Sequence, residues 1–450
     1  MNRKDFLSIF GNFTLASILT PTLISCISKI KKIYGLKNWA GNYTYKADET
    51  IFVSSVNEIK DILVNYKKVK ALGTQHCFND IADTKGVQVS TNKINKIHDL
   101  NTKNKTVLVG SGIKYGDLGK FLYQNGWALH NLASLPHISI GGACSTATHG
   151  SGISNKNLSS AIKGFEIITA NGKTKWVDSE NDPNLFYAGG VSLGALGIMT
   201  KILLKIEPTF NIEQRVFEDL PMINLKNDFD KIMSFGYSVS FFTHWKNKKI
   251  DQIWIKSKPG KEWKDDNLFF GAVAAKKNLH PIKSNSSENC TPQMGVIGPW
   301  HERLPHFKMD FTPSNGDELQ SEYFVSRSNA FEAIMAIERL NKKISPILFV
   351  SEIRCIASDE FWMSMAFGRD SVAIHFTWKP MVKEVMDLLP EIESVLAPYK
   401  VRPHWGKIHT MNAKKLENSY PRYNDFLKLR KRLDPDEIFL NSYLKRTFIN

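Results

Sequence analysis

The strongest constraint on this chain is a run of small side chains from Gly141 to Gly152, Gly-Gly-Ala-Cys-Ser-Thr-Ala-Thr-His-Gly-Ser-Gly, with no large apolar residue after Ile140. Such a stretch suits a backbone lying against a flat, phosphate-bearing ligand, because glycines let N–H groups approach it closely. A second segment, Lys70 to Ala82, reads Lys-Ala-Leu-Gly-Thr-Gln-His-Cys-Phe-Asn-Asp-Ile-Ala. There an apolar strand end runs into a turn begun by Gly73, which can hold phosphate with N–H groups while presenting the imidazole of His76. A single loop histidine carries little by itself, and the small-residue run gives it weight. Gly110, Gly112 and Gly116 space their third glycine wrongly for a Rossmann fingerprint, so that dinucleotide fold is rejected.

At about 100 to 200 residues per domain, a chain of 450 residues with 42% hydrophobic content forms two or three globular domains. Nothing in it is low-complexity or repeated, which excludes collagen, coiled coil and wholesale disorder. The net charge of +15 invites a nucleic-acid role, but only 12 of the 59 cations are Arg, and none lies between Arg3 and Arg215. Scattered solvated lysines explain the charge, and no nucleic-acid partner is expected. The five cysteines make no CxxC pair, and they indicate neither a disulfide framework nor a zinc site. His301-Glu302 with His306 superficially resembles a zinc-protease motif, yet the second His comes one position late and Pro305 interrupts any helix. No metal is expected.

Residues 1 to 26 stand apart from the rest. Arg3 and Lys4 precede a mostly apolar stretch that ends in Leu23-Ile24-Ser25-Cys26, an ending that resembles a bacterial lipobox with Cys26 as the lipidated residue. The opening also resembles a twin-arginine signal with Lys4 in place of the second Arg. A transmembrane anchor is the rival, and Asn12, Thr14 and Pro21 make it a poor one. The expectation is an exported, periplasmic or membrane-anchored protein, with residues 27 to 37 as a juxtamembrane spacer.

From Asn38 onward, short β-type runs alternate with amphipathic stretches such as Val56 to Tyr66, where Val56, Ile59, Ile62 and Leu63 share a helical face. That is α+β or α/β patterning. Further on, Ile347 to Ile356 and Val372 to Trp378 read as strands. Glu352 and Arg354 share one face of the first, and His375 and Thr377 one face of the second. Buried charges cost several kcal/mol unless paired or functional, so polar residues on one face of apolar strands point to a lined cavity, with an exposed face carrying a surface ion pair as the alternative.

These segments carry a family resemblance. The loops around His76 and from Leu132 to Gly152 resemble the flavin-binding loops of the vanillyl-alcohol-oxidase-type flavoproteins. Trp300 to Phe307, Leu319 to Tyr323, Arg402 to Lys407, and Asp434-Pro435 with Phe439, Asn441 and Tyr443 are similar to the aldonolactone and alditol oxidase branch. The resemblance covers nearly the whole chain after residue 37. It implies an α+β fold of two domains. The FAD-binding domain is drawn from both chain ends, residues 38 to 209 and 406 to 450, and an α+β substrate domain with an antiparallel sheet spans 210 to 405.

The resemblance also implies the site. FAD is held by Gly73, Thr74, Gln75, His76, Cys77, Ser134, Ser139, Gly142, Ala143, Cys144, Ser145, His149, Gly197 and His404, and is bound covalently through His76. Gln75 and Cys77 depart from the commoner glycine-histidine-serine form, with Cys77 as a small loop residue or, alternatively, a redox thiol. Ser134, Gln320, Glu352, Arg354, Thr377 and Lys407 contact a polyol, and Ala133 matches a position that affects oxygen access. These residue types suit alcohol oxidation by hydride transfer to flavin N5, in which a developing alkoxide needs fixed cations. Arg354 and Lys407 supply them, His375 accepts the proton, and Glu352 orients Arg354. The expected reaction converts a sugar alcohol to an aldose with oxygen reduced to hydrogen peroxide, in a monomer. Three alternatives stay open: a dehydrogenase using a quinone or cytochrome, an aldonolactone substrate, and a lipid-anchored sugar-binding protein without catalysis.

Overall fold

The computed structural model describes residues 32 to 261, 263, 267 to 310 and 318 to 449. The expected export signal and lipidated Cys26 lie outside the described residues. Within the segment expected as a spacer, Lys32–Ile33 is already a strand, paired antiparallel with Glu49–Phe52. It covers backbone groups that an edge strand otherwise leaves unpaired.

Glu49–Phe52, Val87–Ser90 and Val69–Leu72 follow in that order as parallel neighbours. The connection between the first and last is the helix Val56–Asn65, which buries Ile59, Ile62 and Leu63. A reciprocal cap starts it: the Ser55 hydroxyl accepts from Glu58 N, and Glu58 Oε2 accepts from Ser54 N at 2.9 Å. Val69–Leu72 therefore points its C-terminal end, and the Gly73 to His76 turn, out of a parallel sheet, where such sheets place ligand loops. A five-stranded antiparallel sheet lies next in sequence, with Ile198–Lys205 at its centre. The first part of the small-residue run forms a short helix, Ile140–Ser145, with Ser139 at the N-cap position but no capping bond from its side chain.

All strands of the large antiparallel sheet come from between Asn211 and Pro403. Its middle is Ser238–Thr243, Leu348–Ile356, Ser371–Trp378 and Leu319–Ser326, in that order. The register pairs Glu352 with His375, Glu322 with His375, and Gln320 with Thr377. Alternation then separates two faces. Tyr323 turns to the helix Val382–Leu396, where its hydroxyl donates to Glu393 at 3.2 Å, while Glu322 turns the other way.

One contiguous apolar core runs from the five-stranded sheet through the large sheet to the C-terminal helix. The returning chain locks these parts together around the His76 turn. Phe78 N donates to Gly406 O at 2.8 Å, and Asn79 Nδ2 donates to Trp405 O and Lys407 O at 2.9 and 2.7 Å. Asn441 caps the helix Ser442–Phe448 through Leu444 N, and its Nδ2 donates to Asp80 O, Ile81 O and Asp83 O. An Asn441→Ala variant loses that cap and strands buried carbonyls. Chemical denaturation should show a loss of at least about 2 kcal/mol.

Candidate active site

A cavity of about 290 Å³ opens between the two loops and the large sheet. At one end it is walled by backbone and small residues: the Gly73 to Cys77 turn, Gly141 to Ala143, Ser145, Gly194 and Gly197. The walls are close. A Cβ on Gly73 would lie 2.6 Å from Ser139 Oγ and 3.5 Å from Gly142 Cα. Gly197 has φ +147 and its Cβ would meet Ile168 O at 2.5 Å, so only glycine suits it. Gln75 takes the left-handed φ of +66, the conformation glycine adopts freely, and this turns His76 toward the cavity. His76 stacks on Trp39 with ring centroids 5.2 Å apart, and its shielded Nδ1 has no hydrogen-bond partner. Burial lowers its pKa to about 4, so the ring is neutral at physiological pH. Burial pushes the Cys77 thiol up to about 12, leaving no thiolate for redox chemistry at neutral pH. Shielded, partnerless polar atoms at His76 and Ser111 facing a small-residue cradle fit a flat ligand such as FAD.

At the other end the cavity becomes charged. Glu322 is fully buried, its Oε1 accepting from Arg354 Nη2 at 2.8 Å and its Oε2 from Lys407 Nζ at 2.6 Å. His149 Nε2 lies 3.3 Å from Oε1. Lys407 Nζ also lies 2.8 Å from His375 Nδ1, and His375 Nε2 lies 3.0 Å from Thr377 Oγ1. Arg354 Nη1 donates to Ser134 at 3.4 Å and its Nε lies 3.6 Å from Glu352 Oε1, which His306 Nε2 meets at 2.7 Å.

Burial opposes charge at every one of these groups; ion pairs outweigh it at Glu322, Glu352 and Arg354, whereas at Lys407 burial prevails over Glu322 and draws the ammonium below its ordinary value. Burial raises Glu322, but Lys407, Arg354 and His149 outweigh it and hold the carboxyl well below its usual range. Glu352 behaves alike under Arg354 and His306. Burial lowers Arg354, and Glu352 and Glu322 reverse that. Burial and Lys407 push His375 well below 6.5, so it stays a neutral base. Glu322 spends both oxygens on cations, so its cluster with His149 and His404 faces positive charge rather than a metal ion.

Of the residues expected at the site, Gly73, Thr74, Gln75, His76, Cys77, Ser134, Gly142, Ala143, Ser145, His149, Gly197 and His404 line the cavity, as do Gln320, Glu352, Arg354, His375, Thr377 and Lys407. Cys144 does not. Its thiol turns away to Tyr115 Oη at 3.5 Å, because the short helix presents alternate sides to the cavity and to the core. Ser139 sits behind the wall, its hydroxyl wedged against Gly73. Three residues escaped the sequence reading: Glu322, His306 and Lys70. Lys70 is buried and holds the Leu193 to Gly194 turn through two carbonyls, each at 3.0 Å. Glu322 had an available signal, since it sits two residues from Gln320 and so on the same strand face.

A small-residue cradle leading into a buried, charged cavity fits the class of flavin-dependent oxidoreductases. Comparison with known proteins agrees. The D-arabinono-1,4-lactone oxidase family matches residues 198 to 447, and an FAD binding domain matches residues 47 to 178. Alditol oxidase of Streptomyces sp. is 40% identical over 91% of this chain and 97% of its own. L-gulono-1,4-lactone dehydrogenase of Mycobacterium tuberculosis is 28% identical over 91% and 98%. Among solved structures, cholesterol oxidase from B. sterolicum shares the fold with a TM-score of 0.76 at 16% identity, covering 96% of this chain and all of that one. The chain belongs to the aldonolactone oxidase branch of the vanillyl-alcohol-oxidase-type flavoproteins, with their two-domain α+β fold. It is an FAD-dependent oxidoreductase acting on CH–OH groups.

Two stability tests follow from the charges. Glu322→Ala leaves Arg354 and Lys407 as buried cations without their shared partner, and should cost about 3 to 5 kcal/mol in chemical denaturation. His76 and His306 both have folded pKa values depressed to about 4. Their contribution is present above about 6.5, the unfolded histidine value, and is lost as pH falls toward 4, because the unfolded chain binds protons that the folded one refuses. The denaturation midpoint should drop across that window.

Proposed function

We propose that this protein oxidises the terminal primary alcohol of a sugar alcohol of the xylitol or sorbitol type to the aldose, with oxygen reduced to hydrogen peroxide. The observation that carries the reading is the convergence of Arg354 and Lys407 on one buried Glu322 at the cavity wall. It fixes two cations where an alcohol oxygen gains negative charge. When bound, FAD supplies a ring that accepts a hydride at N5. His76 is the residue we assign to its covalent attachment, on the strength of a neutral ring with a partnerless Nδ1.

The chain's own groups divide the remaining work. A substrate hydroxyl entering between Lys407 and His375 takes over the lysine N–H bond, which frees His375 Nδ1 to receive the hydroxyl proton. Thr377 keeps the other ring nitrogen in place. Glu352, Gln320, Ser134 and Thr377 meet further hydroxyls of the polyol. A site built on those hydrogen bonds rejects a plain alkanol, which would leave them unpaired. On this reading residues 38 to 209 with 406 to 450 hold the flavin, residues 210 to 405 hold the substrate, and the protein works as a monomer. Residues 1 to 26 are an export signal ending at a lipid-modified Cys26.

A lactone substrate, or an acceptor other than oxygen, is the second reading, favoured by the similarity to a lactone dehydrogenase. The visible flavin spectrum separates the readings. Anaerobic xylitol or sorbitol should bleach it, and air should restore it with release of peroxide. Bleaching without recovery in air favours the dehydrogenase, and a flavin that neither polyol bleaches shifts the substrate to lactones. Arg354→Ala or Lys407→Ala should lower turnover by about 10²-fold or more. His76→Ala should leave the flavin extractable by denaturation, and retained covalent flavin would refute the attachment site.

A further inference from the structure

Lys256 takes no part in the reaction outlined above, yet it is 1% exposed on the strand Lys249–Ser257, a costly place for a charge. Its Nζ meets three partners: the acceptors Leu304 O at 2.5 Å and Pro305 O at 2.9 Å, and the ring nitrogen His306 Nδ1 at 3.1 Å. An ammonium group has three N–H donors and no acceptor, so the partners match it one for one. His306 Nδ1 is then the acceptor, and a neutral imidazole so engaged carries its proton on Nε2. That nitrogen lies 2.7 Å from Glu352 Oε1, in the substrate cavity. A line of hydrogen bonds thus runs from a lysine with no place in the cavity wall, through one imidazole, to a carboxylate that has one.

A second arrangement of the same protons exists. A neutral Lys256 amine would accept from His306 Nδ1–H, and Glu352 would carry the third proton and donate to Nε2. Glu352 would then be a neutral acid. Arg354 opposes this, since its Nε lies 3.6 Å from the same Glu352 oxygen and favours the anion. A neutral amine would satisfy the same three partners with two donors and one lone pair, so the choice falls to the carboxylate end, where Arg354 beside Glu352 favours the anion and with it the ammonium form, against the burial that draws the Lys256 amine down. We propose that Lys256 is a positioning residue that sets the tautomer of His306 and through it holds Glu352 as an ionised acceptor for substrate hydroxyls. The proposal deepens the polyol reading, and only its kinetic arm rests on that reading. The charged and titratable groups around Glu352 are His306, Arg354, His375 and Lys407, and those around Lys256 include Cys290, Arg303 and Arg354.

The test uses the full-length flavin-loaded protein labelled with ¹⁵N-histidine, with the His306 signals assigned by their absence in His306→Gln. The expected spectrum shows His306 protonated on Nε2 and bare on Nδ1 between about pH 5 and 8. An Nδ1–H tautomer in the unaltered protein overturns the proposal without any Lys256 variant. Lys256→Met should shift His306 toward the other tautomer. It should raise KM for xylitol about tenfold, with a smaller change in kcat, and move the acid limb of kcat/KM upward as Glu352 becomes easier to protonate. In the His306→Gln background, where an amide N–H serves Glu352 independently, Lys256→Met should add little further effect. An unchanged tautomer and pH profile in Lys256→Met, or effects that simply add to those of His306→Gln, overturns the proposal. If the unaltered protein does not turn over polyols, the substrate reading fails and the tautomer measurement still decides this one.

Discussion

The site depends on one buried carboxylate. Glu322 has no exposed surface on its side chain, and each of its oxygens holds a different cation, one from a neighbouring region of the sheet and one from the returning chain. A carboxylate in that position is unfavourable alone and two buried cations are worse, but the three together satisfy one another. With ionised Glu352 beside Arg354, two cations face two carboxylates and the group carries no net charge. Arg354 is further restrained by Glu352, and Lys407 by His375. Chemistry that develops negative charge on an oxygen finds its stabilising partners already in place, with little reorganisation to perform.

Antiparallel register makes this possible. Glu352, His375 and Glu322 are direct cross-strand neighbours, and Gln320 lies opposite Thr377, so one face of three adjacent strands gathers most of the polar groups. The opposite face is apolar and packs against helices, with Tyr323 reaching Glu393 there. A shift of one residue in any of these pairings would turn the charges into the core. Lys407 comes from outside the sheet. It arrives on the segment after Arg402–Pro403, whose backbone is tied to Glu322 through His404 N and to the His76 turn through Gly406 O. The same segment therefore fixes a cation at the charged end of the cavity and the His76 turn at the other.

Much of this was legible in the sequence for identifiable reasons. A run without large apolar side chains has few uses other than close approach to a ligand, and most of its residues from Gly141 to His149 do line the cavity, while Gly150 to Gly152 pack elsewhere. Charges two apart in an apolar strand share a face, which picked out Glu352 with Arg354. The same rule applied to Gln320 would have reached Glu322. His306 and Lys256 were beyond it, because their partners sit 46 and 50 positions away along the chain and no local spacing relates them. The Cys144 thiol faces the core because a short helix turns successive side chains to different sides, so membership in the small-residue run does not decide which side chains face the cavity. The strand at Lys32–Ile33 was read as spacer because two residues carry no periodicity.

By itself the sequence determined the family, the α+β class, the flavin-binding loops and most of the residues that line the cavity. The family and most of those residues came through the resemblance its motifs carry, while the α+β patterning, the two loops and the shared strand faces follow from local composition and alternation, which act over a few residues. Only the tertiary structure decided that Arg354 and Lys407 share one carboxylate, that Gln75 takes a left-handed turn to aim His76, and that a buried lysine stands behind Glu352. Those relations join elements far apart in the chain. They depend on how burial cost is cancelled between specific partners, a balance that exists only once the strands and the returning C-terminal segment have packed.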